Sequence, residues 1–504
     1  MLKKIKLIGE QKKVLFLPPT NPIQIKGVAG SGKTTVALYR AKHLLETQAN
    51  IFKETKIVIF TYNKTLAAYI RAIKPYINGG YQKDSDELKP KTPDGLNVQI
   101  VNFDRWAFHF AGIPIDSERR WLRKNILPQI ISNTKSSTSN ILNKSFEFFD
   151  EEISWIKGKM FKTKNEYLEA ARTGRGTADR VTRVDKEVIW DVLTKYNFEL
   201  EKRRKIEFDD YALLAINKIE SNPNFIPPYT HIIVDEAQDL TKAQMLTISK
   251  LVDKETNSIS IIADAAQRIY KSGFVWSEVD INVRGGRTIA FKKNYRNTIE
   301  IAKAAKSLLE NETDDEDFTE IEYSVREGKK PRIAYYSDFE EQLNYLEDQL
   351  NILKNNDNLY STIVLHRSTN GVRRIKAFLD ANGFVTELVK SSQPVNYGSD
   401  SVKICTMSSI KGLEFNNVII LDLNDNVIPY PPGFSEEDDE YHISTERRLL
   451  YTCMTRARNE LFLFSSDKDN PSRYLKEIDS DLLDDISPKS NSTASSTYDD
   501  DLPF

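Results

Sequence analysis

Short runs of β-branched and aliphatic residues recur along the chain, and each is followed by a polar loop and a segment with helical spacing. Continuous apolar runs of about four to eight residues are typical of strands buried on both faces of a parallel sheet. Strands that alternate with helices predict an α/β fold. The runs are IVIF (57 to 60), HIIV (231 to 234), the stretch within 258 to 264 and STIVLH (361 to 366), with further predicted strands at 331 to 336, 385 to 389, 402 to 406 and 418 to 423.

The strand pattern is interrupted once, between about 111 and 205, where Lys, Glu, Asn and aromatic residues occur at helical spacing. The polar stretch from 487 to 504 has too few apolar residues to offset chain entropy, which predicts disorder. These shifts predict a domain organisation. It comprises a first α/β domain (1–110 and 206–284), a helical insertion (111–205), a second α/β domain (285–486) and an acidic tail (487–504).

Charge and cysteine content restrict the classes of partner and compartment. The formal net charge of the 504 residues is −2, so a nucleic acid would have to be bound by local basic patches. Cys405 and Cys453 form no CxxC pair, so neither a disulfide framework nor a zinc site is expected. The sequence has neither the pattern of a signal peptide nor an apolar run near the ~20 residues that span a bilayer. We expect a soluble cytoplasmic protein.

The segment GVAGSGKT (27 to 34) fits the phosphate-loop pattern G-x-x-x-x-G-K-[ST], between the strand IQIK and a helical segment. Its glycines let backbone N–H groups face a phosphate, the lysine adds a positive charge, and the threonine hydroxyl suits Mg²⁺. A chance glycine turn is the alternative, and the flanking strand and helix argue against it. The predicted ATP-binding residues here are Gly27, Gly30, Ser31, Gly32, Lys33, Thr34 and Thr35.

An acidic pair follows the apolar run at 231 to 234, in the segment HIIVDEAQD. Asp235 is placed to hold Mg²⁺ through water, and Glu236 to orient or deprotonate the water that attacks the γ-phosphate. Alone, such a pair is usually a solvated turn. Together with the phosphate loop it predicts hydrolysis of ATP.

Taken with this pair, the later motifs resemble the UvrD and Rep branch of superfamily 1 helicases, in the order that the family has them. The resemblance implies two RecA-like α/β domains in tandem, with ATP and Mg²⁺ bound in the cleft between them. It also implies single-stranded DNA as the partner and movement from 3′ to 5′. The motifs are DEAQD (235 to 239), ADAAQRIY (263 to 270), KKNYRN (292 to 297), TMSSIKGLEF (406 to 415) and ERRLLYTCMTRAR (446 to 458).

These motifs supply the cations that one α/β domain lacks, and such cations meet the charge that develops on the γ-phosphate. Arg296 and Arg456 are the candidate arginine fingers, whereas Arg447, Arg448 and Arg458 are expected to form ordinary ion pairs. The resemblance implies the other roles. They are γ-phosphate sensing by Gln267, adenine stacking by Tyr295, adenine reading by Gln11 and ribose binding by Glu414, with Gly412 beside it.

Candidate contacts with nucleic acid come from segments that resemble the family's motifs Ia, Ib and III. Superfamily 1 motors follow a strand with aromatic side chains that stack on bases and polar groups that bind phosphates. An aromatic residue in such segments is also commonly part of the core. The basic segments 171 to 180 and 201 to 208 could grip phosphates or could be solvated helix faces. The candidates are Tyr62, Asn63, Phe103, Trp106 and Trp276.

Two departures from the family bear on function. Motif III opens with Ala263 in place of the usual glycine, and its aromatic continuation is displaced in register. The stretch between Arg296 and Thr406 can hold a second α/β domain but not the large helical 2B insertion of full-length relatives. Translocation along single strands is therefore a safer expectation than processive unwinding.

The chain ends in TYDDDLPF, which resembles the acidic tip by which bacterial single-stranded DNA-binding proteins recruit repair enzymes. An apolar plug preceded by acidic residues suits a pocket with a basic rim. An ordinary acidic tail is the alternative. The residues of this candidate partner site are Asp499, Asp500, Asp501, Leu502, Pro503 and Phe504.

The leading hypothesis is an ATP-dependent translocase or helicase on single-stranded DNA, acting in repair, recombination or phage defence. A second is a UvrD-like ATPase that remodels a protein–nucleic acid complex, as HelD-type factors do with RNA polymerase. GVAGSGKTTVAL also resembles that branch, but the long added arms of those factors are absent here. A third class, an adaptor that recruits through its tail, would not need a complete ATP site.

Overall fold

The computed structural model describes most of the chain, in segments separated by gaps. These segments contain two parallel sheets, one short antiparallel pair of strands, and the helices that pack around them. The described residues are 7–48, 55–61, 81–82, 89–90, 98–113, 119–171, 181–264, 274–310, 322–323, 326–356, 358–389, 399, 401–430 and 436–488.

The N-terminal strands are β1 (Ile23–Gly27), β2 (Ile57–Thr61), β3 (Tyr81–Gln82), β4 (Lys89–Pro90), β5 (Val98–Asn102), β6 (His231–Asp235), β7 (Ser258–Ala263) and β8 (Thr288–Phe291). Six of them form the first sheet, in the order β5-β2-β6-β7-β1-β8, with every pair parallel. All residues of β2 and β6 are buried. Their β-branched side chains point to both faces, so both faces must be covered.

The C-terminal strands are β9 (Arg332–Tyr335), β10 (Thr362–His366), β11 (Thr386–Leu388), β12 (Val402–Thr406), β13 (Phe415–Ile420), β14 (Ala457–Ser465) and β15 (Asp484–Asp485). They form a second parallel sheet in the order β11-β12-β10-β13-β14-β9-β15. The predicted α/β class with two parallel sheets is confirmed. The parts of the chain built on the two sheets are called the first lobe and the second lobe.

The helices are α1 (Lys33–Gln48), α2 (Phe103–Ala111), α3 (Arg119–Asn133), α4 (Phe146–Lys159), α5 (Lys164–Glu169), α6 (Arg183–Lys202), α7 (Asp210–Glu220), α8 (Lys242–Ser249), α9 (Ile299–Ser307), α10 (Phe339–Asn355), α11 (Thr369–Ala381), α12 (Glu436–Met454) and α13 (Arg473–Glu477). Several begin at a threonine whose side-chain oxygen accepts a backbone N–H three residues on. Thr182, Thr241 and Thr298 start α6, α8 and α9 in this way. Such caps satisfy N–H groups that the first helical turn leaves unpaired.

Residues 111 to 205, predicted to be a helical insertion, contain α3 to α6. Phe148, Ile153 and Tyr196 of these helices belong to a hydrophobic cluster separate from the cores that cover the two sheets. The stretch therefore has a core of its own beside the first lobe.

One predicted boundary is wrong. Residues from 285 onward were assigned to the second domain, but β8 pairs in parallel with β1, with Gly27 opposite Phe291. The four residues TIAF are too few to show in which domain the strand lies. Pairing with β1 covers an edge of β1 that would otherwise be exposed. The connection between the lobes therefore begins after Phe291.

Several predictions fall outside the described residues. They concern Gln267, Tyr62, Asn63 and the acidic tip Asp499 to Phe504. In the described part of the chain, no helix is both long and apolar enough to cross a membrane. Cys405 and Cys453 are buried thiols in the second lobe.

A buried ionic network joins the helical stretch to the first lobe. Arg123 of α3 contacts the carboxylates of Glu207 at 2.6 Å, Asp209 at 3.0 Å and Asp150 at 2.9 Å. Lys157 also pairs with Glu207. Burial alone would raise the pKa of Glu207, but Arg123 and Lys157 lower it to about 2. Glu207 therefore stays ionised inside the protein because Arg123 and Lys157 lie beside it.

Replacing Arg123 by Met is expected to destabilise the fold by about 3–5 kcal/mol, because it leaves the buried Glu207 carboxylate with too little positive charge. The thermal unfolding midpoint, followed by circular dichroism, measures the change. Arg203→Met is the matched control, since Arg203 forms an exposed pair with Glu199 that contributes at most about 1 kcal/mol. Equal midpoints for the two variants would refute the assignment.

Candidate active site

The carboxyl ends of β1, β6 and β7 lie side by side in the first sheet and carry the predicted chemistry. The phosphate loop follows β1, the acidic pair ends β6, and Asp264 follows β7. In open parallel sheets, ligands bind at this edge.

The ammonium group of Lys33 is buried inside the phosphate loop. It donates to the carbonyls of Gly27 at 2.9 Å and Val28 at 3.1 Å, and to the Asp264 carboxylate at 2.9 Å. The hydroxyl of Ser31 is fully buried and has no partner within the described part of the chain. A donor group without an acceptor at this place suits a phosphate oxygen.

Gly30 and Gly32 have φ of +75° and +83°, which favours glycine at both positions. A Cβ at Gly32 would lie 2.2 Å from Nε2 of Gln11. That side chain donates to the Ser31 carbonyl at 2.8 Å and accepts from the Ile8 N–H at 3.0 Å. The predicted adenine reader Gln11 is therefore fixed against the phosphate loop.

Thr34 and Asp235 face each other, the hydroxyl donating to the carboxylate at 3.0 Å. Burial, and next the charge of Glu236, raise the pKa of Asp235 to about 7. A nearby cation would favour its ionised form at neutral pH.

The two oxygen groups fit Mg²⁺. No group of three or more His, Cys, Asp or Glu side chains within the described ranges could hold a metal by itself. Mg²⁺, however, is commonly held by one or two protein oxygens together with substrate phosphates. Thr34 and Asp235 are such oxygens, beside the loop that is shaped for phosphates.

Glu236 lies in a strained backbone position, with φ of +57°, between cations from both lobes. Burial alone would raise its pKa, but Lys411, Lys33 and Arg456 hold it below the usual range. Its carboxylate also accepts a hydrogen bond from Gln238. The ionised form is the one that can accept a proton from water.

Two residues missed by the sequence analysis organise this centre. The Gln238 amide donates to Glu236 and accepts from the Asp264 N–H at 3.0 Å, so it joins the ends of β6 and β7. Lys411 of the second lobe is buried against Asp239 and lies 3.9 Å from Glu236. Gln238 lies in the motif DEAQD and Lys411 in the motif TMSSIKGLEF. Their polar side chains, close to Glu236 and Glu414 in the sequence, were the signal that could have identified them.

The connection between the lobes and the second lobe contribute the predicted cations. Nε of Arg296 pairs with Glu414 at 2.5 Å. Arg456 is almost fully buried, and burial together with the charge of Arg296 lowers its pKa to about 10. Arg458, expected to form an ordinary ion pair, lies close enough to Glu414 to help lower the pKa of that carboxyl, and it also lines the pocket. Arg447 does form such a pair, with Glu477.

One pocket between the lobes gathers most of the predicted ATP-site residues. Gly27, Ser31 and Asp235 are not part of the lining but accept hydrogen bonds from it, Gly27 from Lys33, Ser31 from Gln11 and Asp235 from Thr34. The lining comprises Ile8, Gln11, Gly30, Gly32, Lys33, Thr34, Thr35, Glu236, Tyr295, Arg296, Gly412, Glu414, Arg456 and Arg458.

The aromatic candidates for nucleic-acid contact differ in burial. Phe103 is 1% exposed and packs on Phe60 and Trp106, so it is a core residue and its predicted contact with nucleic acid is wrong. Trp106 is half-buried and lines a surface cleft with Arg105. Trp276 is half-buried at the start of a short 3₁₀ helix and packs edge-on against Phe274.

Gly30→Ala is expected to weaken ATP binding about tenfold or more, measured by titration with a fluorescent ATP analogue. A Cβ at Gly30 would lie 2.1 Å from Oδ1 of Asn294 and 3.0 Å from Cβ of Arg296. Gly286→Ala is the control, since Gly286 has φ of +79° but open space around its Cβ position. Both variants carry backbone strain of about 1–2 kcal/mol, so equal affinities would exclude the steric argument.

Curated relatives share part of this sequence. The chain is 26% identical over 330 residues to the ATP-dependent DNA helicase PcrA of Leuconostoc citreum, a match that covers 62% of this chain and 40% of the relative. PcrA of Staphylococcus epidermidis is 21% identical over 661 residues, covering 93% of this chain and 87% of the relative. The chain thus matches about two fifths of the length of the first of these relatives.

A solved structure, the C-terminal domain of a possible DNA helicase from Lactobacillus plantarum, covers 38% of this chain and 98% of its own. Its identity is 24%, and its TM-score of 0.29 is too low to indicate a shared fold.

Family models match most of the chain. The UvrD/REP helicase N-terminal domain matches residues 7–280, and the UvrD-like helicase C-terminal domain matches 289–394 and 386–468. The first match covers most of the first lobe and the helical stretch, and the second covers most of the second lobe, so the pocket lies between the two matched regions. The chain belongs to the UvrD/REP helicase family.

Proposed function

We propose that the protein is an ATP-driven motor that moves along single-stranded DNA from 3′ to 5′. The observation that carries this proposal is the pocket between the lobes. There the phosphate loop and Glu236 of the first lobe face Arg296 of the connection and Arg456 and Arg458 of the second lobe. Cations opposite a phosphate loop are what hydrolysis of a nucleoside triphosphate requires.

In this proposal each group has one task in hydrolysis. Glu236 accepts the proton of the attacking water, because neighbouring cations keep it ionised. Lys33, Arg296 and Arg456 meet the negative charge that spreads over the transferred phosphoryl group. Mg²⁺, held by Thr34 and Asp235, would neutralise charge on the β- and γ-phosphates when bound.

Base recognition would come from the first lobe's N-terminal segment and the connection between the lobes. The Tyr295 hydroxyl accepts from the Glu10 N–H at 3.3 Å, one residue before Gln11. Its ring lies at the pocket wall, where it can stack on adenine, and Glu414 lies in reach of a ribose hydroxyl. These assignments follow the family resemblance.

DNA as the substrate is supported by the family and by the relatives, which are named ATP-dependent DNA helicases. The compact form without a 2B insertion is supported by the two matches to the C-terminal domain, 289–394 and 386–468, because they overlap and leave no residues between them for a large insertion. The alignment with the Staphylococcus epidermidis relative spans 661 residues although this chain has 504, so it contains long gaps. Translocation is therefore the proposed activity, in the setting of repair, recombination or phage defence.

Lys33→Ala is expected to lower the kcat of ATP hydrolysis about a hundredfold or more, because it removes a charge that stabilises the transition state. A coupled steady-state ATPase assay measures it. Lys42→Ala is the matched control, because Lys42 lies on the same helix and pairs with Glu46 at its surface. Turnover by Lys33→Ala equal to that of the control would contradict the ATP-site assignment.

The same assay distinguishes the substrates when single-stranded DNA, duplex DNA, RNA or no polymer is added, with Glu236→Gln as the inactive enzyme. Stimulation by single-stranded DNA above the other polymers is the expected result. Hydrolysis that no polymer stimulates would instead favour remodelling of a protein complex.

Trp276→Ala is expected to raise the concentration of single-stranded DNA that gives half-maximal stimulation by about tenfold, because stacking on one base contributes about 1–3 kcal/mol. Polymer-free hydrolysis should be unchanged. Phe198→Ala, which removes an exposed aromatic ring of α6, is the control. Identical DNA dependence of the two variants would remove Trp276 from the strand path.

A further inference from the structure

The candidate arginine finger Arg456 lies in a short turn between α12 and β14. The guanidinium donates to the carbonyl of Thr452 at 2.9 Å, and the backbone N–H donates to the carbonyl of Cys453 at 3.1 Å. These contacts hold the side chain to its own helix end. The turn itself is held by further contacts, since the Phe415 N–H donates to the Arg456 carbonyl at 3.0 Å and Arg296 donates to the Thr455 carbonyl at 3.4 Å.

Asn297 adds two buried hydrogen bonds to the turn from the connection between the lobes. Its amide nitrogen donates to the carbonyls of Thr455, at 3.1 Å, and Ala457, at 2.5 Å. The two carbonyls belong to the residues on either side of Arg456. Asn297 is fully buried, so water does not compete for these hydrogen bonds.

Asn294 holds Asn297 in turn. Its amide nitrogen donates to Oδ1 of Asn297 at 2.8 Å. Its side-chain oxygen, Oδ1, accepts hydrogen bonds from the backbone N–H groups of Arg296, at 2.9 Å, and Asn297, at 3.1 Å. That oxygen also lies 2.1 Å from where a Cβ of Gly30 would be. The pair of asparagines therefore links the phosphate loop to both arginines.

We propose that Asn297 is a positioning residue that sets Arg456 at the γ-phosphate end of the pocket. The inference rests on the proposed function, because Arg456 acts only if ATP is hydrolysed here. Asn297 itself does not line the pocket. Its loss should lower kcat and leave the KM for ATP nearly unchanged, since the adenine, ribose and phosphate-loop contacts remain.

Asn417 provides a matched control for a purely structural asparagine. It is also fully buried in the second lobe. Its amide nitrogen donates to the Asn358 carbonyl at 2.7 Å and the Thr362 hydroxyl at 2.9 Å. It lies in β13 and does not line the pocket. Replacing it removes similar hydrogen bonds without touching the turn at Arg456.

The experiment compares Asn297→Leu with Asn417→Leu, since leucine has a similar size and no donor. Both should lower the thermal unfolding midpoint. Only Asn297→Leu should lower kcat, by about 10- to 100-fold, a loss typical of a misplaced catalytic group. It should also weaken trapping of ADP with aluminium fluoride, which mimics the transferred phosphoryl group, while binding of a fluorescent ATP analogue is retained.

Arg456→Ala and the double variant test whether Asn297 acts through Arg456. In the Arg456→Ala background, Asn297→Leu should have little further effect on kcat. An undiminished effect there, or an equal loss of kcat in Asn417→Leu, overturns the inference.

Asn297→Ser serves if the leucine variant does not fold, because its hydroxyl retains one donor. It is expected to give a kcat between wild type and Arg456→Ala, and wild-type turnover by this variant also overturns the inference. Failure of the proposed ATP hydrolysis is a different result, since the wild-type protein would then show no ATPase activity at all, whereas hydrolysis without polymer stimulation leaves this test valid.

Discussion

The structure depends on the charge balance of two buried carboxylates at the end of β6. Asp235 and Glu236 are shielded from water, and an uncompensated buried charge is strongly destabilising. The cations that face Glu236 come from both lobes, Lys33 from the first and Lys411 and Arg456 from the second. Neutralising one strand end therefore draws on cations of both lobes and contributes to their association.

In the proposed motor, the same balance would couple nucleotide binding to the contact between the lobes. A triphosphate brings several negative charges into a pocket whose cations already face protein carboxylates. Its arrival and its hydrolysis must change which cation faces which anion. Because Lys411 and Arg456 belong to the second lobe, a change in pairing is also a change in the force between the lobes. Strand movement requires a further element, a set of contacts that differ between the two arrangements.

Local motifs were readable from the sequence because their residues are close together in the chain. The phosphate loop needs a strand, a glycine turn and a helix in succession, and DEAQD needs only one buried strand. Lys411 was missed because its partners Asp239 and Glu236 are distant in sequence and only the packing of the lobes brings them near. Phe103 and Trp106 show a related limit. Both are aromatic residues of one helix, and only the tertiary structure separates the buried one from the half-buried one.

The corrected place of β8 gives the connection between the lobes a function. The Val28 N–H of the phosphate loop donates to the carbonyl of Phe291, the last residue of β8. Further along the connection, the Tyr295 N–H donates to the Gly30 carbonyl of the phosphate loop at 3.0 Å, and Arg296 is the next residue. The connection therefore follows the phosphate loop closely before it enters the second lobe. The segment that carries the candidate finger Arg296 is hydrogen-bonded to the phosphate loop, so the crossing between the lobes is part of the candidate site.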